Sequence, residues 1–133
     1  MARELAGLDS SKPGDRWFHR FTVFTAMSTA FLIFAGGLVT STESGLAVPD
    51  WPLSYGMFFP PMVGGIFYEH GHRMIAAFVA SLTAILAIWA SLKENRLWIK
   101  WLALGALLAV ILQAILGGIT VLYLLPTPIS IAH

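Results

Sequence analysis

Three apolar runs of membrane-spanning length dominate this sequence, at residues 21–39, 71–92 and 101–125. A helix needs about 20 predominantly apolar residues to cross the hydrocarbon core of a bilayer. The composition agrees, since 57% of the residues are hydrophobic and only 11% are charged, whereas soluble domains carry about 25% charged residues. We therefore predict an all-α fold, a polytopic membrane helical bundle with three spans and the start of a fourth at 129–133.

Charge and cysteine content exclude several kinds of site. The chain has 133 residues and a formal net charge of +1. It has no basic patch able to neutralise a phosphate backbone, so no nucleic-acid partner is expected. It contains no cysteine, which excludes disulfides, thiolate metal sites and cysteine nucleophiles. Histidine, glutamate and aspartate remain for metal or acid–base chemistry.

Basic residues are distributed asymmetrically around the apolar runs. Lys and Arg are absent between Arg20 and Arg73, whereas four lie in the flank 1–20 and three in the turn 93–100. Because cytoplasmic loops are enriched in these residues, the flank and the turn are predicted to be cytoplasmic. The outer loop 40–70 is predicted to lie on the other side. It is rich in proline, glycine and aromatic residues, which favours an ordered lid over the membrane surface rather than a helix or a disordered segment.

The strongest candidate site is Tyr68–Arg73, YEHGHR, at the start of the second run. Charged groups at that depth are costly and usually functional. A spacing of three residues places Glu69 and His72 on one helix face. Continuing this face gives a track of small side chains that lets a flat cofactor or another helix approach closely: Ala76, Ala80 and Ala84. The alternative is a histidine satisfied by water or lipid headgroups.

A weak internal repeat brings in a second histidine. Residues 35–40 (AGGLVT) resemble 116–121 (LGGITV), and each is followed by a proline-containing loop and a histidine, His72 and His133. Two histidines at corresponding positions suit bis-imidazole ligation of a haem inside a helical bundle. Arg73, beside the first histidine, would pair with a propionate or another anion.

Gln113 is the one strongly polar residue inside the third run. A polar side chain within a membrane helix commonly bonds to a neighbouring helix. We predict an interhelical hydrogen bond for it.

Several ordered blocks resemble the haem A synthase family: VTSTESGLAVPDWP at 39–52, PPM at 60–62, YEHGHR at 68–73, and LQAILGGITVL at 112–122 followed by ISIAH at 129–133. The resemblance implies oxidation of a methyl group of haem O to a formyl group, which gives haem A for cytochrome oxidase. It also implies eight spans in two similar four-helix halves. The chain is then expected to be an amino-terminal fragment, with a membrane domain at 21–133 that is truncated before the fourth span and is inactive in isolation.

The resemblance also implies roles for individual residues. His72 and His133 match the metal ligands of the haem, Glu69 matches a catalytic carboxylate, and Arg73 is expected to contact the cofactor. Haem b is the expected cofactor of the complete enzyme, and haem O its substrate. Further expected partners are membrane lipid, a haem O synthase, a membrane electron donor and a second copy of the chain. The expected location is the cell inner (cytoplasmic) membrane, with the N-terminus cytoplasmic, rather than the mitochondrial inner membrane.

Two alternatives use the same residues differently. A bis-histidine cytochrome b-type subunit would carry electrons through a permanently bound haem and have no substrate. A membrane scaffold or transporter fragment would have incidental histidines. Analysis of extracted haem separates the enzyme from the electron carrier, because only the enzyme leaves hydroxylated or formylated haem.

Overall fold

The computed structural model describes residues 13–133, so the first twelve residues of the predicted cytoplasmic flank lie outside the described residues. Within this range the chain forms four α-helices and no strand, which confirms the all-α prediction. The helices are α1 (Pro13–Ser41), α2 (Gly65–Lys93), α3 (Leu97–Leu122) and the short α4 (Thr127–Ala132).

Three helices are long and apolar enough to cross a membrane: Arg16–Ser41 within α1, all of α2 and all of α3. In α2 the segment Met74–Leu92 carries no charged residue and is bounded by Arg73 and Lys93. As a helix this segment is about 28 Å long, close to the ~30 Å thickness of a hydrocarbon core. The first two turns of α2, which precede it, therefore lie at the edge of the predicted span.

The ends of two helices differ from the apolar runs. α2 begins at Gly65, six residues before the predicted span. The hydropathy pattern misses this start because Glu69 and His70 are polar, yet the preceding loop supplies hydrogen-bond partners to both. α3 ends at Leu122 rather than at residue 125. The next residues turn the chain, because Leu124 and Leu125 have φ values of 57° and 58°, a left-handed conformation that ends helices.

α2 lies between the other two long helices, contacting α1 on one side and α3 on the other, while α3 also contacts α4. The buried side chains of α2 form its interface with these neighbours: Val79, Leu82, Thr83, Ala87 and Ala90. At the far end of α2 the ring of Trp89 contacts those of Phe18 and Phe21, each at 5.7 Å between centroids. The three helices form a single layer, which leaves most of their apolar surface exposed, as lipid contact requires.

The α1–α2 loop (residues 42–64) packs against the first two turns of α2. Val48 and Ser54 in this loop are completely buried. The ring of Trp51 lies so close to α3 that a Cβ atom at Gly118 would come within 2.8 Å of it. The loop is therefore ordered against two helices. Its role as a cover over the membrane surface stays a prediction.

Candidate functional site

Glu69 is buried in the first turns of α2, with 4% of its surface exposed. Its Oε1 atom accepts a hydrogen bond from Arg73 Nη2, at 2.5 Å, across one turn of the helix. Its Oε2 atom accepts a second bond from the backbone N–H of Val48 in the α1–α2 loop, at 2.8 Å. A buried carboxylate is tolerated when a cation and hydrogen-bond donors compensate it. Both oxygens of Glu69 are compensated in this way.

Arg73 connects Glu69 to the loop. Its Nη1 atom donates to the backbone carbonyls of Asp50 and Leu53, both at 2.8 Å. The partners of Arg73 in these hydrogen bonds and in the ion pair with Glu69 are all groups of this chain, not of a cofactor. The predicted role of Arg73 as a partner of a cofactor anion stays a prediction.

His70 makes a buried contact that the sequence analysis missed. Its Nδ1 atom lies 2.7 Å from the hydroxyl of Ser54, and the two residues are 6% and 0% exposed. The Nε2 atom of His70 is buried and has no hydrogen-bond partner among residues 13–133. The sequence did contain an indication of this contact. His70 belongs to the YEHGHR motif, and Ser54 is the only serine in the apolar part of the loop from residue 51 to 64.

His72 and His133 meet between α2 and the end of α4. Their ring centroids are 6.4 Å apart and their planes are inclined at 82°. His72 is half-buried and His133 is exposed. The Nδ1 atom of His72 is buried and has no hydrogen-bond partner among the described residues. The structure thus brings together the two histidines that the internal repeat singled out.

Each of these histidine rings lies directly against a glycine. A Cβ atom at Gly36 of α1 would be 3.1 Å from Cε1 of His72, and one at Gly117 of α3 would be 2.8 Å from Cε1 of His133. Both glycines are the first of the paired glycines in the repeat. The sequence repeat therefore corresponds to a repeated contact in space, a helix glycine beneath a histidine ring.

The position of His133 depends on the contact between α3 and α4. The amide Nε2 of Gln113 donates to the backbone carbonyl of Ala132 at 3.3 Å. This confirms the predicted interhelical hydrogen bond of Gln113. It ties the end of α4, and with it His133, to the middle of α3.

The two imidazoles of His72 and His133 suit the iron of a haem better than a metal ion that is bound by protein side chains alone. Among residues 13–133 no group of three or more His, Cys, Asp or Glu side chains could hold a metal ion. A haem needs only axial ligands from the protein, because the porphyrin supplies the other four nitrogens. Two imidazoles bonded at about 2 Å on opposite sides of one metal have ring centres about 6 Å apart. The spacing of His72 and His133 fits that requirement, and the glycines leave room for the rings.

Comparison with known proteins points to one family. Residues 19–64 match a model of the COX15-CtaA family, described as cytochrome oxidase assembly protein. A haem A synthase of Bacillus licheniformis is 33% identical over 103 residues, covering 76% of this chain and 34% of the relative. The haem A synthase of Halalkalibacterium halodurans is 34% identical over 107 residues, covering 77% and 36%. That of Symbiobacterium thermophilum is 32% identical over 111 residues, covering 80% and 36%.

These matches concern a limited part of the relatives. The chain spans about a third of the length of the curated relatives it matches. No solved structure matches the chain. The family match and the relatives nevertheless agree with each other and with the multi-pass helical structure: the chain belongs to the COX15-CtaA family of cytochrome oxidase assembly proteins, and its curated relatives are haem A synthases.

Proposed function

We propose that this chain is part of the amino-terminal half of a haem A synthase, a membrane oxidoreductase that converts a methyl group of haem O to a formyl group. The names of the relatives support the reaction. The observation that carries the proposal is the His72–His133 pair at 6.4 Å. The buried carboxylate of Glu69 lies one helical turn from His72, which brings an acid–base group close to that pair.

The proposed roles of the residues follow from their contacts. His72 and His133 would hold the iron of the substrate haem, and the glycines beneath them permit the rings to lie close to α1 and α3. The bound haem supplies a redox-active iron and the methyl group that is oxidised. Glu69 holds or releases a proton beside the ligand pair. Arg73 holds Glu69 in place through their ion pair.

The remaining proposals concern the cofactor, the partners and the location. Haem b is the proposed cofactor of the complete enzyme, held outside this chain. A haem O synthase, a membrane electron donor and a second copy of the chain are the proposed protein partners. The proposed location is the bacterial cytoplasmic membrane, with the N-terminus inside.

Extracted-haem chromatography tests the reaction. The complete membrane protein is co-expressed with a supply of haem O, in the parent form and as His72→Ala, with His19→Ala as the control because His19 is exposed and distant from the motif. We expect hydroxylated or formylated haem in the parent and the control, and none in His72→Ala.

The electron-carrier alternative gives a different result. A parent that retains haem while leaving haem O unmodified is a bis-histidine cytochrome of the b type. A parent without any Soret band is neither an enzyme of this kind nor a cytochrome.

A further inference from the structure

The α1–α2 loop meets α2 through one connected set of buried and half-buried polar contacts, which includes Ser54 and His70. Neither residue belongs to the proposed haem site. We propose that Ser54 and His70 are positioning residues: their hydrogen bond anchors the loop to α2, and the loop in turn holds Arg73 and Glu69 beside His72. Only the last step, the effect on the haem site, rests on the proposed function.

Because Ser54 and His70 are buried, the Ser54 hydroxyl and the Nδ1 atom of His70 each need a hydrogen-bond partner within the protein. Ser54 is 0% exposed and His70 is 6% exposed, so water does not replace the hydrogen bond between them when it is lost. Removing one partner of a buried hydrogen bond leaves the other without compensation, which is costlier than the net value of the bond itself. The 2.7 Å contact between Ser54 Oγ and His70 Nδ1 is therefore a strong tie between the loop and the helix.

A third group, the guanidinium of Arg73, also contacts the Ser54 hydroxyl. The Nη1 atom of Arg73 lies 3.4 Å from the Ser54 hydroxyl and donates to it. The hydroxyl oxygen accepts from Arg73 and also shares a hydrogen bond with Nδ1 of His70, whose direction is set by the histidine tautomer. One hydroxyl group links the histidine to the arginine that pairs with Glu69.

The loop segment that Ser54 belongs to is preorganised to hold Arg73. The carboxylate of Asp50 accepts hydrogen bonds from the backbone N–H groups of Tyr55 and Gly56, at 2.6 and 2.8 Å. Ser54 and Met57 exchange two backbone hydrogen bonds. This compact turn presents the Asp50 and Leu53 carbonyls to Arg73.

His70 acts at a distance from the ligand pair. At 3.6 residues per turn, side chains two positions apart point about 200° apart around the helix, so His70 and His72 lie on nearly opposite sides of α2. The ring of His70 contacts the loop, while that of His72 contacts α1 and the His133 ring. The side-chain contacts that lead from His70 toward the haem site run through Ser54, Arg73 and Glu69.

Three variants test the proposal. Ser54→Ala removes the hydroxyl. His70→Gln places its amide near the position of Nε2 and loses the group at Nδ1, whereas His70→Asn keeps a polar group at the position of Nδ1. Ser81→Ala is the control, because Ser81 is exposed on α2 and bonds only within its own helix.

The first measurement is backbone hydrogen exchange at Val48 in the haem-free protein purified in detergent, because that N–H bonds directly to Glu69. We expect exchange about tenfold faster in Ser54→Ala and His70→Gln, since local opening becomes easier when a buried hydrogen bond is lost. Exchange is expected to stay at the parent rate in His70→Asn and Ser81→Ala. Exchange around Val79 reports whether α2 itself remains folded.

The second measurement is the electron paramagnetic resonance spectrum of the haem-loaded protein. It is expected to shift in Ser54→Ala and His70→Gln and to match the parent in His70→Asn. Should Ser54→Ala fail to accumulate, the pair of His70 variants carries the test. Unchanged Val48 exchange in His70→Gln overturns the proposal, as does faster exchange in both His70 variants. A protein that binds no haem but shows the expected exchange pattern would contradict the proposed function and leave this inference standing.

Discussion

The rings of His72 and His133 lie 6.4 Å apart, centre to centre, and each rests against a glycine of a different helix. His72 belongs to α2 and contacts Gly36 of α1, whereas His133 follows α4 and contacts Gly117 of α3. The distance between the two rings therefore depends on how all four helices are placed relative to one another. A change at either glycine is expected to displace a ring without altering any polar group.

Gly117→Ala is expected to weaken haem binding strongly. Its Cβ atom would lie 2.8 Å from Cε1 of His133, a contact that forces the ring to move. Gly105→Ala is the matched control in the same helix, because nothing lies within 4 Å of a Cβ atom there. Alanine is favoured over glycine within helices by about 1 kcal/mol, so the control should be at least as stable as the parent. Haem retained after purification, measured from the Soret band, should fall only in Gly117→Ala. Equal retention by both variants would refute the close packing of His133.

The first pair of glycines provides an independent comparison. Gly36→Ala places a Cβ atom 3.1 Å from the His72 ring, whereas Gly37→Ala places one in open space. The contact at Gly36 is less severe than that at Gly117, so we expect a smaller loss of haem than in Gly117→Ala. Gly37→Ala should retain haem at the parent level. A loss in Gly37→Ala alone would place the histidine on the other face of α1.

Glu69→Gln is expected to abolish haem O oxidation while haem remains bound, because His72 and His133 are unchanged. It also leaves Arg73 without its anionic partner, and breaking a buried ion pair typically costs about 3–5 kcal/mol. The loop should therefore loosen as well, which faster hydrogen exchange at Val48 would detect. The control is Glu43→Gln, at an exposed position of the same loop. Haem A formation at the parent level in Glu69→Gln would assign this residue a structural role only.

The order of the loop should depend on Asp50 at acidic pH. Hydrogen bonds to its carboxylate, first from the Gly56 N–H and then from that of Tyr55, hold the pKa of Asp50 below its usual value, and nearby Arg73 lowers the pKa further. The stability that this carboxylate contributes is fully present above the usual pKa of 3.8. It is lost as the pH falls through the lower pKa of the folded state.

A nitroxide spin label at Met57→Cys measures this effect, since the chain has no other cysteine. In the parent background the label should become more mobile only as the pH falls below about 4. Adding Asp50→Asn should make the label mobile at pH 7 and reduce its response to acid. An acid response unaffected by Asp50→Asn would assign the response to another group.

The membrane orientation can be tested with single cysteines on either side of α2. Leu46 in the α1–α2 loop is 43% exposed, and Asn95 in the turn between α2 and α3 is exposed as well. An impermeant maleimide should label Leu46→Cys in intact cells and Asn95→Cys only after permeabilisation, because basic residues concentrate on the cytoplasmic side. The reverse pattern would invert the predicted topology.

Hydropathy predicted the three long apolar helices, and helical periodicity predicted part of the geometry of the candidate site. Both depend on neighbouring residues alone: a run of apolar side chains needs lipid or a core, and a spacing of three places Glu69 and His72 on one face whatever surrounds the helix. The glycine repeat likewise predicted that His72 and His133 correspond. These are properties that a helix carries before it meets a partner.

Contacts between residues that are distant in the sequence determined where α2 begins and how the α1–α2 loop is attached. Helix α2 begins at Gly65 rather than at residue 71 because the loop satisfies Glu69 and His70, and hydropathy counts polar residues without regard to their partners. The pairing of His70 with Ser54 joins residues sixteen positions apart, and Trp51 lies against Gly118, about half the chain length away in the sequence. The Glu69–Arg73 spacing is local, but the shared attachment of both residues to the loop is not. Such contacts depend on the path of an irregular loop, which proline and glycine permit but do not determine, so only the tertiary structure selects them.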